Sequence, residues 1–297
     1  MICILLSTYN GEKYLEAQLD SLLKQENVEL HIIVRDDGSS DNTQTILSSW
    51  QNKELLKWYS GENKGSAYSF LDLLYNAPDA DYYAFCDQDD IWLPEKLKIA
   101  TDNLTGHEDE PALYISETTL VDKNLNKINS KGRHFSHTFG ETFLRNPATG
   151  CTMVFNKKLC DIVKGYIPDY LYMHDGWVYK ICIMLKGYIF HDKQSYILYR
   201  QHESNVVGGQ NSLLKKIKRR FRALISNKEG IRYLTMCELY KGFSYIIPKD
   251  NLILLEKCIR YKNSFISRLK FMTCSQFSTP NKETCFYFRL AVLLKKY

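Results

Sequence analysis

The sequence predicts an α/β fold of Rossmann-like type, a mostly parallel central sheet flanked by helices, followed by a helical C-terminal extension. Three observations predict it. Strand and helix patterns alternate over the first two hundred residues, the signature of a largely parallel sheet. Residues 83–92 read Tyr-Ala-Phe-Cys-Asp-Gln-Asp-Asp-Ile-Trp, an apolar strand that ends in three carboxylates. Ligands bind at that carboxyl edge in open α/β sheets. Beyond Gly208-Gly209 the pattern is helical to the end, broken at Pro248 and at the Ser-Gln-Phe-Ser-Thr-Pro stretch 275–280. The expected division is therefore 1–207, an α/β catalytic domain, and 208–297, a helical extension.

The elements follow in order. Strands are expected at 2–7, 30–35, 55–59 and 82–86, apolar runs of strand length bounded by charge or turn residues. Between them, Tyr14, Leu15, Leu19, Leu22 and Leu23 share one side of a helix over 13–24, and further helices are expected at 42–50 and 66–76. Ser39, Ser40 and Asp41 offer N-caps for the second, and Pro94 opens a fourth helix through Asn103. Later strands are expected at 112–116, 151–155 and 195–201, with helices near 157–164 and 176–186.

Bulk properties exclude several classes. With 297 residues, 44% hydrophobic and 25% charged, the chain resembles a soluble protein of one or two domains. Ile2 to Leu6 has no basic segment before it and no small-residue cleavage site after it, so it reads as a first strand and not a signal peptide. No apolar run approaches the roughly 20 residues of a membrane-spanning helix. Nine scattered cysteines without a Cys-x-x-Cys pair suit reduced thiols and a cytoplasmic location. The sequon at Asn103 carries no weight without secretion.

Three polar clusters carry the chemistry. Ser7-Thr8-Tyr9-Asn10 follows the first strand, Asp36-Asp37-Gly38-Ser39-Ser40-Asp41 the second, and Asp87-Gln88-Asp89-Asp90 the fourth. Side-by-side carboxylates repel one another unless a cation neutralises them. Hard divalent ions take oxygen ligands and bridge phosphates, so Asp87 and Asp89 are candidates for holding a metal–diphosphate. Each cluster alone also reads as a tight turn and helix cap. No glycine-rich phosphate loop, Gly-x-Ser-x-Gly elbow or His-Glu-x-x-His helix is present.

Thr8-Tyr9-Asn10-Gly11, Asp36-Asp37-Gly38-Ser39-Ser40-Asp41, Asn63-Lys64-Gly65 and Asp87-Gln88-Asp89-Asp90-Ile91-Trp92 together resemble, in order and spacing, the family-two glycosyltransferases with a GT-A fold. The resemblance spans residues 1 to 205, give or take a few, and is strongest to the bacterial branch containing rhamnosyltransferases of cell-surface polysaccharide assembly. It implies an inverting sugar transfer from a nucleotide-diphosphate donor, dTDP- or UDP-linked, to a saccharide or lipid-linked acceptor, with Mn²⁺ or Mg²⁺. It places Thr8 and Asp37 at the pyrimidine base, with Tyr9, Asn10, Asp36, Asn63, Lys64 and Gln88 around the nucleotide. Asp87 becomes the nucleotide-side and Asp89 the metal-side carboxylate.

The resemblance also makes Asp175, in Met173-His174-Asp175-Gly176-Trp177, the base that takes the acceptor proton, with His174 as a neighbour that tunes it. As an alternative, Asp175 only caps the helix that follows. Thr149-Gly150-Cys151 resembles a segment lining the acceptor side. Arg200 and His202, at the end of the last strand, are placed to reach the diphosphate or the metal, against a purely structural role. His134 and His137 lack a third ligand nearby and are assigned to an acceptor loop around 131–137. A second reading of the whole chain is a non-catalytic nucleotide-sugar-binding partner subunit.

The formal charge of +5 is uneven. Residues 213–224 read Leu-Leu-Lys-Lys-Ile-Lys-Arg-Arg-Phe-Arg-Ala-Leu, with Leu213, Leu214, Ile217, Phe221 and Leu224 at helical spacing. Such a basic amphipathic helix suits the surface of an anionic bilayer, giving peripheral contact at the inner face of the plasma membrane. The bland alternative is a packed helix with a solvated basic face. Aromatic residues are not interleaved as a stacking platform would require, so no nucleic-acid partner is expected.

Overall fold

The computed structural model describes residues 1–129, 134–201 and 230–297. Among the described residues eight strands form one sheet: β1 (Ile2–Thr8), β2 (Leu30–Asp36), β3 (Lys57–Ser60), β4 (Tyr82–Cys86), β5 (Ile91–Trp92), β6 (Ala112–Val121), β7 (Val154–Asn156) and β8 (Tyr188–Arg200). Their order across the sheet is β3-β2-β1-β4-β7-β6-β8-β5. The β3-β2-β1-β4 half is wholly parallel, joined by α1 (Leu15–Leu23), α2 (Thr43–Asn52) and α3 (Ser66–Asn76). β7 pairs antiparallel with both β4 and β6, and β5 antiparallel with β8. The sheet is thus mixed, with β7 and β5 alone reversed.

Period-two burial builds the two layers. From β1, Cys3 and Leu5 enter the hydrophobic cluster under α3, while Ile2, Ile4 and Leu6 enter the one under α1 and α2. β4 splits likewise, with Tyr83 and Phe85 on the first side and Ala84 and Cys86 on the second. A strand buried on both faces reads as a continuous apolar run, because its alternation separates two cores and not core from water. α4 (Lys96–Asp102) joins the second side, and α6 (Lys157–Lys164) the first, through Leu159, Cys160 and Val163. At the β7–α6 junction buried Asn156 caps α6 by accepting from Leu159 N–H at 3.0 Å and donates to the carbonyls of His107 and Glu110 at 2.8 Å.

The short α5 (Phe139–Thr142) precedes α7 (His174–Met184), whose eleven residues are all buried. A helix apolar all round needs cover on every side. The sheet supplies one side. The other comes from α8 (Ile231–Phe243), with α9 (Lys249–Ile259), α10 (Phe265–Thr273) and α11 (Lys282–Leu293) behind it. Trp177 of α7 meets Phe243 at a centroid distance of 6.0 Å, and Met236 and Leu239 join the same cluster. Polar pins reinforce the packing: Glu238 accepts from Tyr166 Oη at 3.0 Å and from Asp169 N–H at 2.7 Å, and Tyr297 Oη donates to the Phe143 carbonyl at 2.9 Å.

Several boundaries shift from expectation. β8 begins at Tyr188 and β6 runs on to Val121, because the two pair in parallel over almost their whole length. Gly150–Thr152 is a 3₁₀ turn, leaving only Val154–Asn156 as β7. The cap of α2 falls on Asn42, and the three residues proposed for it work elsewhere: Ser39 and Ser40 tie the first two loops together, and Asp41 accepts from Thr43 N–H at 3.0 Å. The boundary at 207/208, His202 and the basic segment 213–224 lie outside the described residues.

Candidate active site

The loops after β1, β2 and β3 meet at the carboxyl edge of the parallel half. Thr8, Asp36 and Asp37 are all buried. Thr8 Oγ1 donates to Asp36 Oδ1 at 3.0 Å, and the Thr8 carbonyl accepts from Asp37 N–H at 2.8 Å. Asp36 Oδ2 also accepts from Ser39 N–H at 3.0 Å and Gln44 Nε2 at 2.8 Å. Asp37 docks the third loop: its Oδ1 accepts from Lys64 N–H at 3.0 Å and its Oδ2 from Gly65 N–H at 2.8 Å. Gly65, at φ 79°, takes the left-handed backbone this turn needs. These three side chains brace the loops, whereas Tyr9, Asn10, Asn63 and Lys64 stand exposed along their rim. Asn10 is itself anchored, accepting from Ser40 N–H at 2.8 Å.

Arg35 holds the underside, and the sequence reading missed it. Its guanidinium is 1% exposed and pairs with Asp37, with Asp72 at 2.8 Å and with the Glu62 carbonyl at 3.0 Å. The available signal was a lone arginine inside a buried strand, which demands partners.

The Asp87–Asp90 loop faces this edge. Gln88 clamps it to the first loop, accepting from Tyr9 N–H at 2.9 Å and donating to the Tyr9 carbonyl at 3.0 Å. Asp87 and Asp89 are half-buried, while Asp90 is fully buried. Burial, then the neighbouring Asp89 and Asp175 carboxylates, push the Asp87 carboxyl above its ordinary range. Ligand atoms of Asp87, Asp90 and Cys151 lie within 4.8 Å of one another. Asp90 accepts from Arg200 N–H at 3.0 Å, and its other oxygen has no hydrogen-bond partner among the described residues. A cluster in which burial and then neighbouring carboxylates raise Asp87 and Asp90 fits a dication. The half-buried oxygens of Asp87 and Asp89 are hard donors of the kind Mg²⁺ and Mn²⁺ take.

Arg200 is placed differently from expectation. It is 4% exposed, and its guanidinium donates to the carbonyls of Asp89 at 2.8 Å and Lys123 at 2.9 Å and lies 4.5 Å over the Tyr14 ring. It therefore positions the acidic loop from behind. Lys96 underpins the same loop, buried with Nζ 3.6 Å from the Trp92 ring centre.

Asp175 lies in the first turn of α7, two residues past the N-cap Met173, is 8% exposed, and is close enough to Asp87 for its charge to raise that carboxyl. Its carboxylate accepts from Gly176 N–H and, at 3.3 Å, from Asn146 Nδ2. Burial pushes it up to about 6, against the opposing pull of the Gly176 N–H and of Lys180. Capping and a poised base are thus compatible in one side chain. His174 does not tune it through a hydrogen bond. The imidazole is sandwiched between Phe70 at 4.0 Å and Phe85 at 4.7 Å, and burial pushes it down to about 3, so it stays neutral. Gly150 passes so close that a Cβ there would lie 2.7 Å from His174 Nε2. His137 lies in the expected loop, of which residues 131–133 are outside the described residues, and its ring is tied down: its Nδ1 meets Tyr179 Oη at 2.9 Å and its Nε2 meets His191 Nδ1 at 2.8 Å.

Comparison with known proteins agrees with this geometry. Residues 3–162 match the family model "Glycosyl transferase family 2". The chain is 31% identical over 235 residues to the dTDP-rhamnosyl transferase RfbG of Shigella flexneri, covering 75% of this chain and 80% of that one. In fold it is similar to S. aureus TarS in complex with UDP-GlcNAc, with TM-score 0.56, 19% identity, and 99% and 90% of the two chains covered. It is also similar to the mannosyltransferase PcManGT of Pyrobaculum calidifontis in complex with GDP-Man and Mn²⁺, with TM-score 0.50, 15% identity, and 100% and 88% covered. Sheet, acidic loop and sequence thus agree: the chain is a GT-A glycosyltransferase and belongs to glycosyl transferase family 2.

Proposed function

We propose that the protein transfers a sugar, rhamnose from dTDP-rhamnose in the first instance, with inversion, to a saccharide carried on a lipid. The observation that carries this reading is a buried and raised Asp175 close enough to the acidic loop for its charge, with that of Asp89, to push up the Asp87 carboxyl. The exposed Tyr9 ring offers the base a stacking face, with Asn10, Asn63 and Lys64 beside it. A bound Mn²⁺ or Mg²⁺, held by Asp87 and Asp89, supplies charge neutralisation of the departing diphosphate. Asp175 takes the acceptor hydroxyl proton; a carboxylate near 6 is a better base than an ordinary one yet still ionised at neutral pH. The similarity to a dTDP-rhamnosyl transferase supports the donor, and the Mn²⁺ complex of PcManGT supports the metal.

Peripheral membrane contact is part of the proposal. Phe286, Arg289 and Leu293 follow one another at helical spacing on α11 and are exposed. Arg268 donates to the Leu293 carbonyl at 3.0 Å, bringing exposed Phe265 and Ile266 of α10 to the same end. Apolar side chains set among Arg268, Arg289 and Lys295 support an anionic bilayer as the neighbour. No helix among the described residues is long and apolar enough to cross a membrane.

A thermal-shift panel of dTDP-rhamnose, UDP-glucose, UDP-galactose and UDP-GlcNAc with Mn²⁺ tests the donor, since tight binding raises the melting temperature by mass action. dTDP-rhamnose should give the largest rise, and no rise with any nucleotide sugar would overturn the reading.

A further inference from the structure

A side chain from outside α7 reaches the Asp175 carboxylate. Asn146, in the irregular segment 145–149 that leads into the 3₁₀ turn, donates from Nδ2 to Asp175 Oδ1 at 3.3 Å. We propose that Asn146 is a positioning residue for the base. Its amide fixes the carboxylate with Oδ1 turned inward and Oδ2 toward the acceptor hydroxyl, so its loss slows transfer without weakening donor binding. The inference rests on the reading of Asp175 as the base.

The amide is closed on its own loop, and that closure sets its orientation. Its Nδ2 also donates to the Ala148 carbonyl at 3.3 Å, and its Oδ1 accepts from Ala148 N–H at 3.4 Å. Turned over, the amide would set its oxygen against two acceptors, the Ala148 carbonyl and Asp175, and its NH₂ against a donor. One orientation satisfies all three contacts, so the group that meets Asp175 is an N–H. Pro147 fixes φ in the middle of this turn and stiffens it. Gly176 N–H donates to the same Asp175 Oδ1. Two donors on one oxygen pin the carboxylate about its last torsion, whose energy well is broad when nothing holds it.

Gly176 makes room for the contact. A Cβ there would lie 3.2 Å from Asn146 Nδ2 and 3.2 Å from Lys180 Nζ. Glycine is a poor helix former, and here the space it leaves is taken by two groups that favour a charged Asp175. Lys180, one turn on, donates to the Gly176 carbonyl at 3.3 Å and supplies the counter-charge. Burial is what these groups oppose. It pushes the carboxyl up, and the Gly176 N–H, Lys180, the Gly150 N–H and the Asn146 amide pull it back. A protonated carboxyl cannot take the acceptor proton. Each donor withdrawn therefore thins the ionised form that acts as the base.

The test uses the full chain with Mn²⁺ and the best-binding donor, and reads nucleoside diphosphate release onto a lipid-linked acceptor. Asn146→Ala should lower kcat about tenfold, leave the donor KM unchanged and move the acid limb of the kcat profile up by about one pH unit, the worth of one hydrogen bond to a charged group. Asn146→Asp, equal in size, sets an acceptor where the N–H was and should move the limb further still. Asn146 acts through Asp175, so adding Asn146→Ala to Asp175→Asn should cost nothing more. A further loss in that double variant, or an acid limb that stays put in either single variant, would overturn the proposal. Titration of the Asp175 carboxyl by nuclear magnetic resonance, its signal identified by loss in Asp175→Asn, reads the same shift without turnover. No upward movement in Asn146→Ala overturns the proposal as well. Full turnover of Asp175→Asn would instead sink the reading of Asp175 as the base on which the inference stands.

Discussion

Asp175→Asn should make the protein more stable and less active at once. Folding raises the Asp175 carboxyl from its ordinary 3.8 to about 6, so the folded chain holds this proton more tightly than the unfolded chain. The ionised form is therefore the costly one. The cost is absent below the unfolded value, grows as pH rises between the two values, and is complete above the folded one. A two-unit rise at about 1.4 kcal/mol per unit amounts to roughly 3 kcal/mol. Asparagine mimics the protonated acid, can keep the bonds to Gly176 N–H and Asn146, and carries no charge. In chelator and without donor, Asp175→Asn should melt roughly 5–10 °C above wild type at pH 8, the scale expected of such a change in a chain this size. At pH 4 the two should melt together. Transfer should fall by about 10²–10⁴-fold, the usual worth of a general base, with nucleotide affinity retained. A variant no more stable than wild type at pH 8, or one with full turnover, would refute the argument.

Three further substitutions probe the supports of the site. Arg200→Lys removes the fork that holds the Asp89 and Lys123 carbonyls; Mn²⁺ affinity, read by electron paramagnetic resonance, should drop about tenfold while the melting temperature moves little. Gly11→Ala drives a methyl group into the Gln88 amide and breaks its paired bonds to Tyr9, so UDP affinity by calorimetry should weaken by roughly 1–2 kcal/mol. Glu141→Gln removes a buried charge that serves Arg145, the Ser136 and His137 N–H groups and Thr279; urea denaturation should show a loss of about 3 kcal/mol.

The parallel half of the sheet was legible because its strands are short apolar runs and each ends in a polar cluster, as at Thr8, Asp36 and Asp87. The other half was not. Ile91 of β5 and the first five residues of β8 are only partly buried, and the strand state of both segments comes from pairing with distant partners, Ile91 with Leu198 and Ala112 with Tyr188. Local pattern carries no trace of such pairing. The motifs named the candidate residues, but how each side chain is engaged needed coordinates: Arg200 turns back to the acidic loop, His174 packs between two phenylalanines, and Thr8 spends its hydroxyl on Asp36. The chain of His137, His191 and Glu117, linked at 2.8 and 3.1 Å, joins residues far apart in sequence and gave no sequence signal.

The central claim is a metal-dependent transfer in which the Asp-x-Asp pair holds the cation and the diphosphate. Release of nucleoside diphosphate from the best-binding donor, followed by nuclear magnetic resonance in the presence of a lipid-linked acceptor, tests it most directly. Turnover should require Mn²⁺ or Mg²⁺, stop on adding chelator, and be lost in Asp89→Ala while the melting temperature holds. Chelator-resistant turnover, or an Asp89→Ala protein as active as wild type, would contradict the account.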